Sequence, residues 1–236
     1  MKLVTYRAFV EAPASLGVLI DDMVVDVAEL GEFCGLDLPG TMLGLIDAGR
    51  PGLQALQACL DEVGDAYPPH TASALANVTL LAPIPRPRKN IFGIGLNYVA
   101  HIAETAGKLD TSLALPKQPV IFSKPPTCVI GPGASIEHNA KITQQLDWEV
   151  ELAVIIGTTA RRVRREDALA YVFGYSVMID VSARDNRRAG QWIFSKGQDT
   201  YAPFGPCIVT ADEIPDPQIL DMWLSVNGVE KQRSNP

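Results

Sequence analysis

The chain has 236 residues, 47% of them hydrophobic, enough to bury a sizeable core without outside help. A net charge of -7 argues against a nucleic-acid surface, and no run approaches the roughly 20 apolar residues that span a bilayer. Cys34, Cys59, Cys128 and Cys207 are scattered with no C-x-x-C pair, which excludes a thiolate zinc site of usual spacing and reads as free thiols in a reducing cytoplasm. The opening "MKLVTYRAFVEAPAS" lacks the continuous apolar core of a signal peptide.

From the N-terminus, "KLVTYRAFV", "LGVLI" and "MVVDVAEL" are strand-like runs separated by turn residues. "TMLGLIDAG" and "LQALQACLDEV" then carry apolar residues at helical spacing, broken at Arg50-Pro51-Gly52. A further strand, "NVTLLAPI", precedes "PIPRPRKN", where Pro83, Pro85 and Pro87 stiffen the connection. Beyond it the pattern is mostly strands: "NIFGIGLN", "PVIFSKP", "DWEVELAVIIG", "VFGYSVMIDVS", "GPCIVT" and "LDMWLSVNGV". "EDALAYVFGY" reads as a short helix running into a strand, and "VNGV" is an Asn-Gly hairpin turn. The division is a small α/β unit over 1–75 and a β-rich domain over 76–236, so the class is α+β, mostly β.

Three constellations carry chemistry. In "DWEVELAVIIG", Glu149 and Glu151 lie two apart on one strand, so both carboxylates share a face, with Trp148, Val150 and Leu152 on the other. Two like charges side by side repel, and a hard divalent cation shared between them removes the repulsion. Asp180, ending the apolar strand "YSVMID", qualifies as a third oxygen ligand; an exposed acidic strand face is the alternative. In "GIGLNYVAHIAET", His101 and Glu104 stand at i and i+3, the spacing at which a carboxylate orients an imidazole to act as a general base, though taken alone a surface His-Glu pair on a helix is the ordinary reading. "GIG" lacks the third glycine of a dinucleotide loop, so a phosphate-binding reading is weak. In "FSKGQDTYAPFGP", Lys196 sits among turn residues where exposure is its ordinary state, and Arg184 with Asp185 has an ordinary reading as a strand-end ion pair.

These segments, together with "IFSKPPTCVIGPG" and "MWLSVNGVE", stand in the order of the fumarylacetoacetate hydrolase family, which residues 78–236 resemble. The resemblance implies a β-roll-like catalytic domain of that type, usually in a homodimer and with no nucleic-acid or membrane partner. It implies that Glu149, Glu151 and Asp180 bind Mg²⁺ or Mn²⁺, that His101 and Glu104 activate water, and that Lys196 stabilises an oxyanion. Arg184 matches the family's substrate-contacting segment. Arg187 stands where a glutamine is usual, and a second cation there suits a dianionic substrate. The family continues past the "VNG" hairpin with a Gly-Thr-Pro segment, so the expectation is a chain lacking its C-terminal part.

The expected activity is hydrolysis of a carbon-carbon bond in an acylpyruvate-type 2-oxo acid in the cytoplasm. Decarboxylation of oxaloacetate or isomerisation of a ring-cleavage product is the alternative within the family. An inert metal-binding homologue or scaffold is the reading from another class.

Overall fold

The computed structural model describes residues 1–64, 66–95, 97, 118–186 and 191–235. In chain order its elements are β1 (Lys2–Arg7), β2 (Ser15–Ile20), β3 (Met23–Asp26), α1 (Val27–Phe33), α2 (Met42–Val63), β4 (Ala72–Ala74) and β5 (Thr79–Leu80). There follow β6 (Ile91–Gly95), β7 (Val120–Lys124), β8 (Val129–Ile130), β9 (Leu146–Asp147), β10 (Val150–Ile156), β11 (Val172–Ile179) and β12 (Ser182–Ala183). The last are α3 (Ile193–Lys196), β13 (Ala202–Pro203), β14 (Ile208–Thr210), β15 (Met222–Val226) and β16 (Val229–Ser234). Sheet dominates and helices are few, as the strand-rich pattern predicts.

An eight-stranded antiparallel sheet runs β10-β11-β14-β1-β2-β3-β4, with β5 also pairing β1. The pairing of Lys2 with Val209 and Leu3 with Ile208 joins N-terminal strands to strands of the second half in one hydrogen-bonded layer. Nothing local in "KLVTYR" announces this partner, because strand pairing across two hundred residues leaves no period in the sequence.

Local rules account for the rest. "MVVDVAEL" reads as one strand but is strand only to Asp26, whose carboxylate accepts from Glu29 N–H at 3.0 Å and caps α1. The break predicted at Arg50-Pro51-Gly52 appears as a kink inside α2, at Gly49, whose φ of 59° suits glycine. Pro51 opens the second half, where its missing N–H leaves no partner unmet. "EDALAY" forms a 3₁₀ turn over Arg165–Tyr171 that feeds β11. The Asn227-Gly228 turn has both residues at positive φ and joins β15 to a six-residue β16, a fuller strand than "EKQRSNP" suggests.

The core is one cluster that spans both halves of the chain. Leu3, Leu16, Leu30, Leu45 and Leu56 on the helical side meet Phe173, Met178, Tyr201 and Ile208 on the other. A smaller cluster places Met222 of β15 against Val150 of β10. The Gln232 side chain of β16 accepts the Val150 N–H at 2.8 Å, so the start of this sheet-edge strand is satisfied by a side chain. No helix among the described residues is long and apolar enough to cross a membrane, and all four cysteines are free.

Candidate active site

The β10–β11 register builds the acidic cluster. Val150 opposes Ile179, Glu151 opposes Met178, and Asp180 N–H extends the ladder to Glu149 C=O at 2.8 Å. Opposed residues of an antiparallel pair share a face, so Glu149 and Asp180 point the same way, and Glu151 follows one repeat along. One carboxylate oxygen from each lies within 4.8 Å of the others. The predicted convergence of these three residues is therefore present, and Val150 on the opposite face is buried as the alternation requires.

Three cations neutralise this cluster. Lys196, at the end of the single helical turn α3, donates to Glu149 Oε2 at 2.7 Å and to Asp180 Oδ2 at 2.6 Å. The exposure expected of it from sequence is wrong: it is 3% exposed, tolerable because two carboxylates accept its protons. Lys124 approaches Asp180 Oδ1 at 2.7 Å from the other side, and donates to Val181 C=O at 3.2 Å and to Lys196 C=O. Arg184 bridges Asp147 at 2.8 Å and Glu149 Oε1 at 2.5 Å. It does not pair with Asp185, whose carboxylate instead accepts from Thr143 Oγ1 and from Gln144 N–H at 2.8 Å. The chain leaves the large sheet after Asp180 to form β12 against β9, and that turn carries Arg184 onto Asp147 and Glu149.

The charges respond to this packing. Burial works to raise the Glu149 pKa, but Lys196 and Arg184 outweigh it and hold the carboxyl at about 2, well under its usual range. Asp180 lies deeper, and burial pushes its carboxyl up despite Lys124 and Lys196. Burial likewise pushes Lys124 down, against the pull of Asp180. The Lys124–Asp180 pair is thus held by mutual compensation in a place where neither charge would persist alone.

Lys124 escapes a reading of motifs taken one at a time. Its signal was the row Val120, Phe122, Lys124, alternate positions of β7 that continue one face of a strand. Phe122 occupies that row beside the site, with Lys196 Nζ 5.1 Å above its ring centroid and the Trp192 ring 5.4 Å away. "GIG" now has a packing explanation. A Cβ on Gly93 would come within 2.2 Å of the Phe122 ring, and one on Gly95 within 3.2 Å of Trp192. His101, Glu104 and Arg187 lie outside the described residues.

The donor set suits a hard divalent cation: three carboxylates in one cluster, with no sulfur or imidazole in it among the described residues. Asp180 Oδ1 is buried with the Lys124 ammonium at 2.7 Å, and a carboxylate oxygen so placed can accept a further partner. Lys196 already bridges two of the three carboxylates, so a metal ion held there would compete with its ammonium for the same two groups.

The chain is similar to several known proteins. Residues 90–236 match the family model described as fumarylacetoacetate (FAA) hydrolase C-terminal. A mitochondrial oxaloacetate tautomerase, fahd2 of Xenopus laevis, is 39% identical over 201 residues, 84% of this chain and 59% of that protein. The oxaloacetate tautomerase YisK of Bacillus subtilis is 36% identical over 228 residues, 92% of this chain and 73% of that protein. Among solved structures, maleylpyruvate hydrolase from Sphingobium sp. SYK-6 in complex with manganese(II) and pyruvate superposes with a TM-score of 0.75 at 30% identity, covering 100% of this chain and 76% of that one. The chain thus spans about three-fifths of the frog relative's length.

Proposed function

The chain belongs to the fumarylacetoacetate hydrolase family, and on that premise we propose that it hydrolyses a carbon-carbon bond of an acylpyruvate-type 2-oxo acid. The observation that carries the reading is the convergence of Glu149, Glu151 and Asp180 within 4.8 Å beside the buried Lys196. Glu149, Glu151 and Asp180 would hold Mg²⁺ or Mn²⁺. The manganese of the maleylpyruvate hydrolase neighbour supports a metal of this kind. Such an ion supplies Lewis-acid stabilisation of negative charge on the oxygens of a 2-oxo acid.

The protein's own residues do the rest. Arg184 and Lys124 hold Glu149 and Asp180 in place from opposite sides. In the proposed reaction His101, oriented by Glu104, takes a proton from water, whose oxygen bonds to the distal carbonyl carbon. The bond from that carbon to the methylene breaks, its electron pair passes to the pyruvate fragment as an enolate, and a proton then completes pyruvate. Lys196 stabilises the oxyanion formed at the attacked carbonyl. Family membership also supports a homodimer and a role for Arg187 at the substrate.

A second reading, oxaloacetate tautomerase, is favoured by the frog and Bacillus relatives. Tautomerisation moves one proton between carbon and oxygen and needs no attacking water. Incubating acetylpyruvate, fumarylpyruvate and enol-oxaloacetate with Mg²⁺ or Mn²⁺, and following loss of enol absorbance, separates the two. Hydrolysis should release pyruvate and be lost in His101→Ala, while metal-dependent oxaloacetate chemistry persists. Unchanged hydrolysis by His101→Ala removes the water-activating role. Rapid enol-oxaloacetate decay without cleavage of any acylpyruvate makes the protein a tautomerase.

The competition between Lys196 and a cation for Glu149 and Asp180 gives a further expected result. Lys196→Met should abolish turnover, yet bind Mn²⁺ about tenfold or more tightly, because a competing positive charge leaves Glu149 and Asp180. A titration showing weaker Mn²⁺ binding would mean that the ammonium organises the carboxylates rather than competing for them.

A further inference from the structure

Beside the acidic cluster lies a cleft of about 630 Å³ whose walls include Phe122, Trp192, Phe92, Ile193, Ser123 and Gln191. Phe122 belongs to both places: its ring lies under Lys196 Nζ, and it lines the cleft with Trp192 tilted against it at 37°. The glycines at 93 and 95 leave the space that these two rings occupy. No charged side chain lines the cleft among the described residues; Ser123 and Gln191 are its polar groups.

We infer that this cleft is the subsite for the acyl end of the substrate, and that it selects an uncharged aromatic or extended apolar group over the second carboxylate that Arg187 suggests from the sequence. The inference rests on the acylpyruvate reading and specifies the substrate class for it. A carboxylate entering an apolar cleft loses its hydration and finds no cation among the described walls to replace it. A planar ring loses nothing comparable and gains offset or edge contacts with Phe122 and Trp192. The position next to Lys196 also fits, because the acyl group of an acylpyruvate is attached to the carbonyl at which the oxyanion forms.

The test compares benzoylpyruvate, acetylpyruvate and fumarylpyruvate on the Mn²⁺-loaded chain. Benzoylpyruvate should have the highest kcat/KM, and Trp192→Ala should reduce the benzoylpyruvate-to-acetylpyruvate ratio about tenfold, chiefly through KM. Trp223→Phe, on the β15–β16 hairpin and not among the described cleft walls, should keep the parent ratio. A preference for fumarylpyruvate, or a ratio unmoved by Trp192→Ala, overturns the subsite and leaves the hydrolase reading standing. If no acylpyruvate is cleaved, the hydrolase reading falls, and binding decides the subsite separately. Titration of Mn²⁺-loaded protein followed by tryptophan fluorescence should then show benzoylpyruvate bound about tenfold more tightly than acetylpyruvate, a difference lost in Trp192→Ala. Equal affinities overturn it.

Discussion

Lys124→Met is expected to lower the free energy of unfolding by about 3–5 kcal/mol, the cost of removing one partner from a buried ion pair. The lysine is 2% exposed and faces Asp180 Oδ1 at 2.7 Å. Methionine fills a similar volume, so the loss measures charge rather than a cavity. What remains is a deeply buried Asp180 beside Glu149, which must either take a proton or keep an under-compensated charge. Urea unfolding in metal-free buffer gives the number, and added Mn²⁺ should restore part of it by supplying positive charge at the same oxygens. A loss under about 1 kcal/mol would mean that Lys196 alone neutralises Asp180.

The second large effect is at Glu151. Glu151→Ala removes one of three carboxylates from a cluster only 4.8 Å across. Affinity for Mn²⁺ should fall at least about 100-fold, no less than the loss of an outer partner of a metal ligand. Turnover should vanish at micromolar metal and be absent from the parent chain after chelation. Unchanged Mn²⁺ affinity would show that the cluster is structural, held only by its lysines and arginine.

These two substitutions also answer why glutamates at alternate strand positions are tolerated. The sequence suggests a shared metal ion, and the cluster geometry suits one. Yet the chain carries its own counter-charges, with Glu149, Glu151 and Asp180 set beside Lys124, Lys196 and Arg184. The cluster can therefore fold without a cation and still accept one, at the cost of competition with Lys196.

What the sequence determined by itself is what has a short period or a local rule. Strand alternation puts Glu149 and Glu151 on one face, Asp180 falls where an apolar strand runs out, and Asn227-Gly228 turns a hairpin. The pause at Arg50-Pro51-Gly52 likewise marks the kink of α2. The capping of α1 by Asp26 was equally local, but a run of β-branched residues masked it. Tertiary structure alone decided the electrostatic partners. Lys124 and Lys196 meet at Asp180 only because β7 and α3 are brought together over the end of β11. Arg184 turned to Glu149 rather than to its neighbour Asp185 because β12 pairs with β9. Backbone periodicity is set by a residue's own torsions and near neighbours, so it can be read along the chain. A buried charge is stable only beside an opposite charge, and which one arrives is fixed by contacts far apart in sequence.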